Sequence, residues 1–227
     1  ALKMFIFLDM FNQFHSPQIC FGSASIAGDE GGYSFGAITE NQALDVLRYA
    51  FDNNIKIFDS APIYGFGSSE SRLGKAFKSN REQVCFISKA GVDWHSTKRV
   101  NMSNDPKIIE KMLNESLDRL QTEYIDIYMI HWPDKNVDIR LALDVLKKAQ
   151  DQKKIIHIGL SNTNAVDLVR GREVCEINFI QNECNIFHNA FRGLELAQAK
   201  SMGWGSLDKG ILAGSVLVDR KFEPGDC

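Results

Sequence analysis

The sequence is short of most features that would place it outside a reducing compartment, in a membrane or on nucleic acid. Its 227 residues hold five cysteines, Cys20, Cys85, Cys175, Cys184 and Cys227, an odd number with no C-x-x-C pair. That excludes a disulfide framework and the usual zinc modules, and no metal ligand set is expected. Long hydrophobic runs are missing as well. Met4-Phe5-Ile6-Phe7-Leu8 stops at Asp9, too short for a membrane span or a signal peptide, so no membrane partner is expected and the cytoplasm is the expected location. Nor is there an excess of one charge: 26 Lys and Arg against 29 Asp and Glu leave a net −3, which argues against a nucleic-acid partner. Low-complexity stretches, linkers and charge blocks do not occur. Finally, no G-x-G-x-x-G follows the first apolar run. Gly22-Ser23-Ala24-Ser25 does not match, and Gly65-Phe66-Gly67 lacks the third glycine.

What the sequence does have is an alternation of short apolar runs with longer segments of helical period. Strands are expected at 18–21, 55–58, 84–87, 124–130, 155–160 and from Ile177 to Ile180. Between them, Thr39 with Gln42 forms a capping box ahead of a helix to Asp52, whose apolar face is Ala43, Val46, Leu47, Ala50 and Phe51. Ser68 or Ser69 caps a helix through Phe77. Asp105-Pro106 opens a helix with the stripe Ile109, Met112, Leu113, Leu117 and Leu120. Further helices are expected over 138–150, 165–170 and 190–202. Helical segments of this length serve as crossovers, so the strands should be parallel. The 227 residues make one domain, and repeated β-then-α units permit an open doubly wound sheet or a closed barrel.

The strand ends favour the barrel. The second strand ends in Asp59, the third in Ser88-Lys89, the fourth in His131, the fifth in Ser161-Asn162 and the sixth in Gln181. Singly, each reads as a loop residue or a satisfied core group, and His157, inside the fifth strand, keeps that reading. Five in series at one end read as a site, because a barrel gathers those ends on one face. Tyr64 follows Asp59 by five residues. Its phenol is a poor acid at neutral pH, with an ordinary pKa of about 10. An ammonium ~4 Å away at an effective dielectric near 20 is worth about 4 kcal/mol, roughly three pKa units. Lys89 is placed to supply that charge, Asp59 to hold the lysine, and His131 to donate a hydrogen bond to a bound carbonyl oxygen. The expectation is a phenol acidified enough to protonate a developing alkoxide.

The run from Phe58 through Asp59, Tyr64 and Gly65 to Glu70, with Leu73-Gly74 after it, resembles the signature of the aldo-keto reductases. Ile87-Ser88-Lys89, the stretch 126–132 ending in His131-Trp132, Gly159-Leu160-Ser161-Asn162, Gln181-Asn182-Glu183 and the stretch 205–210 are similar to that family's later motifs in the same order. The resemblance covers most of the chain, from Phe21 to Gly214. It implies a (β/α)8 TIM barrel that binds NADPH (NADP+) across the C-terminal ends of its strands and reduces a small aldehyde or ketone. Tyr64 would be the general acid, Lys89 and Asp59 its tuning pair, and His131 the orienting group. Ser161, Asn162 and Gln181 would hold the nicotinamide carboxamide, and Trp204 would stack on the ring. Ser206, Leu207 and Lys209 would lie along the pyrophosphate. Trp94 and Trp132 are either walls of the substrate pocket or packed loop aromatics. Positions 1–17, with Phe5, Phe7, Phe11 and Phe14, would form a hairpin closing the bottom of the barrel.

The pattern departs from the family near its end. The helix expected to finish at Met202 runs through Gly203 into Trp204 with no apolar run between, and no eighth strand is visible before Cys227. Strands seven and eight are therefore weak or missing, and segments near Gly203 or after Cys227 are expected to be absent from this sequence. Two other functions stay open: a Schiff-base barrel enzyme using Lys89 for aldol or decarboxylation chemistry, and a cofactor-binding regulatory subunit.

Overall fold

A computed structural model describes residues 19–29, 31–184 and 200–204. Seven parallel strands form one sheet, with an antiparallel hairpin beside it. In chain order the elements are β1 (Phe21–Gly22), α1 (Glu40–Asp52), β2 (Ile57–Asp59), α2 (Ser68–Phe77), β3 (Cys85–Ala90), the hairpin strands β4 (Val92–Trp94) and β5 (Val100–Met102), α3 (Pro106–Leu120), β6 (Ile125–Ile130), α4 (Ile139–Asp151), β7 (Ile155–Ser161), α5 (Ala165–Arg172), β8 (Phe179–Glu183) and β9 (Lys200–Trp204). The sheet runs β1-β2-β3-β6-β7-β8-β9. Each strand is added beside the one before it and always on the same side. A doubly wound sheet reverses direction once, whereas a (β/α)8 barrel never does, so the order is that of the barrel.

Local chemistry explains the element boundaries. Thr39 and Gln42 complete the capping box of α1, with Gln42 N–H donating to Thr39 Oγ1 at 3.3 Å and Thr39 N–H to Gln42 Oε1 at 3.0 Å. Asp105 caps α3 at Lys107 N–H, with Pro106 in the first helical position. Asp138 caps α4, and Asn164 caps α5.

The structure corrects three expectations. Leu44, not Val46, completes the buried stripe of α1, and Val46 is exposed. Helix α2 is entered through Gly67, whose φ of 98° only glycine adopts easily, so Ser68 is already helical and neither serine is the cap. The segment expected to be helical up to Met202 ends in a strand instead. Lys200–Trp204 pairs in parallel with β8, Gln181 opposite Met202, and supplies the seventh strand that looked missing. Lys200, Ser201 and Gly203 show no apolar alternation; the hydrogen-bond ladder to β8 overrides their weak local signal. Positions 1–17, the segment 190–199 of that expected helix, and Ser206, Leu207 and Lys209 lie outside the described residues.

Apolar side chains divide into two clusters across the sheet. Phe58, Phe86, Tyr128, Ile130, Ile158 and Ile180 pack outward against the helices. Ile57, Cys85, Ile87, Ile127, Met129 and Phe179 pack together on the other face. The alternation follows from the two-residue period of a strand. It has a direct consequence: Asp59, Lys89, Ser161 and Gln181 share the parity of the inward residues of their own strands, and His131 continues that of β6. At the opposite rim the buried Arg81 donates to Val84 O, Tyr124 O and Asp126 Oδ2, tying β3 to β6. No helix among the described residues is long and apolar enough to cross a membrane.

Candidate active site

The strand ends that carry Asp59, Lys89, His131, Ser161 and Gln181 meet at one rim, and Tyr64 reaches the same place from the loop after β2. Asp59, Tyr64, His131, Ser161, Asn162 and Gln181 line a cavity of about 630 Å³. Lys89 is fully buried beneath it, with its Nζ 2.5 Å from Asp59 Oδ1 and 2.8 Å from Ser60 O. The same Nζ lies 5.5 Å from the centre of the Tyr64 ring. The Tyr64 and His131 rings meet edge to face, 6.0 Å apart at an interplanar angle of 85°. The four residues singled out for chemistry are therefore one cluster at one end of the sheet.

The charges of the cluster respond to burial. Burial, the largest single influence, opposes the ammonium of Lys89, but the charge and hydrogen bond of Asp59 together with the Tyr64 phenol outweigh it and the lysine pKa ends above its usual value. Lys89 is therefore cationic at neutral pH. Burial pushes the His131 imidazole well below its usual range, and the nearby Lys89 charge pushes it further, so the ring is neutral. Tyr64 corrects the expectation drawn from charge alone. Burial raises its phenol above the ordinary value, with Asp59 adding to the rise, and Lys89 offsets only part of it. The lysine acts in the expected direction without winning, because a phenolate shielded from water loses more solvation than one neighbouring charge returns. The phenol consequently holds its proton at neutral pH.

Along the next two strands, Asn162 sits at φ 50° and its Nδ2 donates to His131 O at 2.9 Å and to Ser161 Oγ at 3.1 Å. Ser161 Oγ lies 3.5 Å from Gln181 Oε1. Behind them Asn182 accepts from Thr163 N–H at 2.9 Å and donates to Thr163 O at 3.0 Å, locking the ends of β7 and β8 in register. A hydroxyl and two amides at the edge of a largely apolar cavity form a donor and acceptor set that fits a planar carboxamide.

The two tryptophans separate. Trp132 lines the cavity, whereas Trp94, on β4, packs at 5.4 Å against Phe66 and is absent from the cavity wall. Trp204 is the last residue of β9, opposite Glu183. His157 packs edge-on against Phe179 at 5.6 Å, away from the rim. Sequence reasoning missed Tyr33 and Phe35, half-exposed aromatics of the loop after β1 that line the cavity. The signal was present, since Gly31, Gly32 and Gly36 surround them with positive φ. Glu70 carried no expected role within the Phe58–Glu70 run, although its carboxylate is completely buried.

The family model for the aldo/keto reductase family matches residues 18–226 of the chain. The aldo-keto reductase YhdN of Bacillus subtilis is 36% identical over 203 residues, which are 86% of this chain and 61% of that protein. An NADH-specific methylglyoxal reductase of Escherichia coli is 29% identical over 208 residues, 84% of this chain and 63% of that protein. Among solved structures, the glycerol dehydrogenase AKR11B4 from Gluconobacter oxydans superposes with a TM-score of 0.81 at 28% identity, over 92% of this chain and 65% of that one. The chain thus spans about three-fifths of the length of these curated relatives.

Proposed function

The chain belongs to the aldo/keto reductase family, and on that premise we propose that it reduces small aldehydes or ketones with NADPH. The observation that carries this reading is the buried Lys89 ammonium, pinned by Asp59 and Ser60 and facing the Tyr64 phenol beneath a cavity shared with His131. Ser161, Asn162 and Gln181 would hold the nicotinamide carboxamide, Asn162 with the oxygen of an amide whose nitrogen is engaged at His131. Trp204, Ser206, Leu207 and Lys209 are proposed for the rest of the dinucleotide from the family resemblance. A nicotinamide bound there would supply the hydride.

The chain's own residues handle the oxygen. Tyr64 keeps its proton at neutral pH and releases it to an oxygen gaining negative charge. Lys89 favours that release, because its ammonium stabilises the phenolate left behind. His131, neutral, donates a ring N–H to the same oxygen and orients it without contributing a charge. Trp132 and Phe35 shield the oxygen from water, which strengthens each of these contacts. The Schiff-base alternative needs an unprotonated Lys89, and the Asp59 pairing holds the amine charged. A regulatory subunit has no use for the assembled proton donor.

Turnover with NADPH and with NADH over a panel of aldehydes and ketones tests the proposal. Tyr64→Phe should lower kcat by ~100-fold to ~10,000-fold, the range of general acid catalysis, with cofactor affinity nearly unchanged. Full activity in Tyr64→Phe removes the phenol from the mechanism.

A further inference from the structure

One buried charge takes no part in that chemistry. Glu70, in the first turn of α2, is completely shielded from solvent, as is Ser88 of β3. Ser88 Oγ donates to Glu70 Oε1 at 2.5 Å, and Arg119 Nε of α3 donates to Glu70 Oε2 at 2.7 Å. Arg119 in turn lies across Gly67, where an added Cβ would come within 2.6 Å of its Cδ.

The ion pair with Arg119 alone would join α2 to α3. An apolar pair of similar volume does that at no desolvation cost, so a buried carboxylate is a poor choice for packing. The second oxygen is what packing does not explain, because it reaches the strand that carries Lys89. Ser88 and Lys89 are consecutive on β3 and point to opposite faces, Ser88 to the helices and Lys89 to the site. On the other side, Glu70 follows Ser69, whose backbone N–H donates to Tyr64 O at 3.3 Å and whose Oγ donates to Ser23 O at 2.6 Å. The phenol and the ammonium are thus carried by two segments joined directly behind the site by one short hydrogen bond.

We infer that Glu70 and Ser88 are positioning residues, a strut of fixed length that sets Tyr64 against Lys89. A hydrogen bond to a carboxylate fixes distance and direction in a way that apolar contact does not. Precision of that kind matters at this pair, since a displacement of ~1 Å in a reacting group can cost ~100-fold in rate. The inference rests on the reductase reading for its kinetic consequence but not for its geometry.

The test compares Ser88→Ala, Glu70→Ala and Glu70→Gln with the wild type. Tyrosine labelled at the ring carbon bearing oxygen lets the Tyr64 resonance be followed by NMR, with Tyr64→Phe to assign it. Ser88→Ala and Glu70→Ala should move that resonance, lower kcat by ~10-fold or more, and shift the pH profile of kcat towards higher pH. Glu70→Gln keeps an acceptor for Ser88 and should restore most of the wild-type profile. A role confined to stability would lower the melting temperature of Ser88→Ala and leave the resonance and profile in place, which overturns the strut. Should Glu70→Ala fail to fold, Ser88→Ala decides. If the wild type turns over no carbonyl with either cofactor, the reductase reading fails, and the Tyr64 resonance still upholds or overturns the strut.

Discussion

At the scale of single residues, the site shows that charge proximity and burial have to be weighed together. Lys89 stays cationic because Asp59 lies 2.5 Å away, while Tyr64 stays protonated because burial outweighs the same lysine. His131 has no carboxylate partner in this balance, and burial, then the Lys89 charge, drive its pKa well below the usual imidazole value. The unfolded chain titrates this histidine near pH 6.5. Below that pH the unfolded state binds a proton that the folded state refuses. The stabilisation from a neutral His131 is therefore complete above about pH 6.5 and is lost as the pH falls through it. His157, also lowered by burial, acts in the same sense. The urea midpoint of the wild type should fall between pH 7.5 and pH 5.5, and the fall should be smaller in His131→Gln. Equal falls in the two proteins would rule out a neutral, buried His131. That Asp59, Lys89 and His131 gather at one rim was legible in the sequence because each lies at the end of a strand; the direction of the Tyr64 shift was not, since the phenol's burial depends on packing with residues as distant as Val92 and Trp132.

At the scale of elements, local signals were reliable where a cap or a periodic stripe wrote the boundary. Thr39-Gln42, Asp105-Pro106 and all five expected stripe residues of α3 appear as read. They failed where tertiary contact overrides preference, as at Val46, at the glycine entry to α2 and at β9. Gly74 offers a quantitative case. Glycine inside a helix ordinarily costs about 1 kcal/mol relative to alanine, so Gly74→Ala in α2 should stabilise on helix propensity alone. Here an added Cβ would come within 2.5 Å of Arg119 O and 2.6 Å of Leu120 C, backbone atoms at the end of α3 that cannot rotate away. Gly74→Ala is expected to destabilise by ~1–3 kcal/mol, the usual cost of overpacking, measured by denaturant unfolding. A stabilised variant would show that α2 and α3 approach less closely than described.

At the scale of the whole molecule, the cavity is assembled from loops and strand ends spread from Gly22 to Gln181. A ligand that fills it links them and should stabilise the fold as a unit. At about 100 times its Kd, NADPH should add ~2.7 kcal/mol, equivalent to a rise in melting temperature of roughly 5–11 °C for a chain of this size. The same rise should occur in Tyr64→Phe, because the phenol acts on the substrate oxygen. No rise with NADPH or NADH would remove the dinucleotide from the proposal. The β-then-α rhythm, the caps and the polar residues at the strand ends are written locally in the chain, because they depend on neighbours a few positions apart. Long-range packing is what makes Lys200–Trp204 a strand, holds the Tyr64 phenol above its ordinary pKa and brings Glu70 to Ser88. Each of these depends on groups distant in sequence: a ladder partner, the exclusion of water, and a carboxylate 18 residues before its hydroxyl.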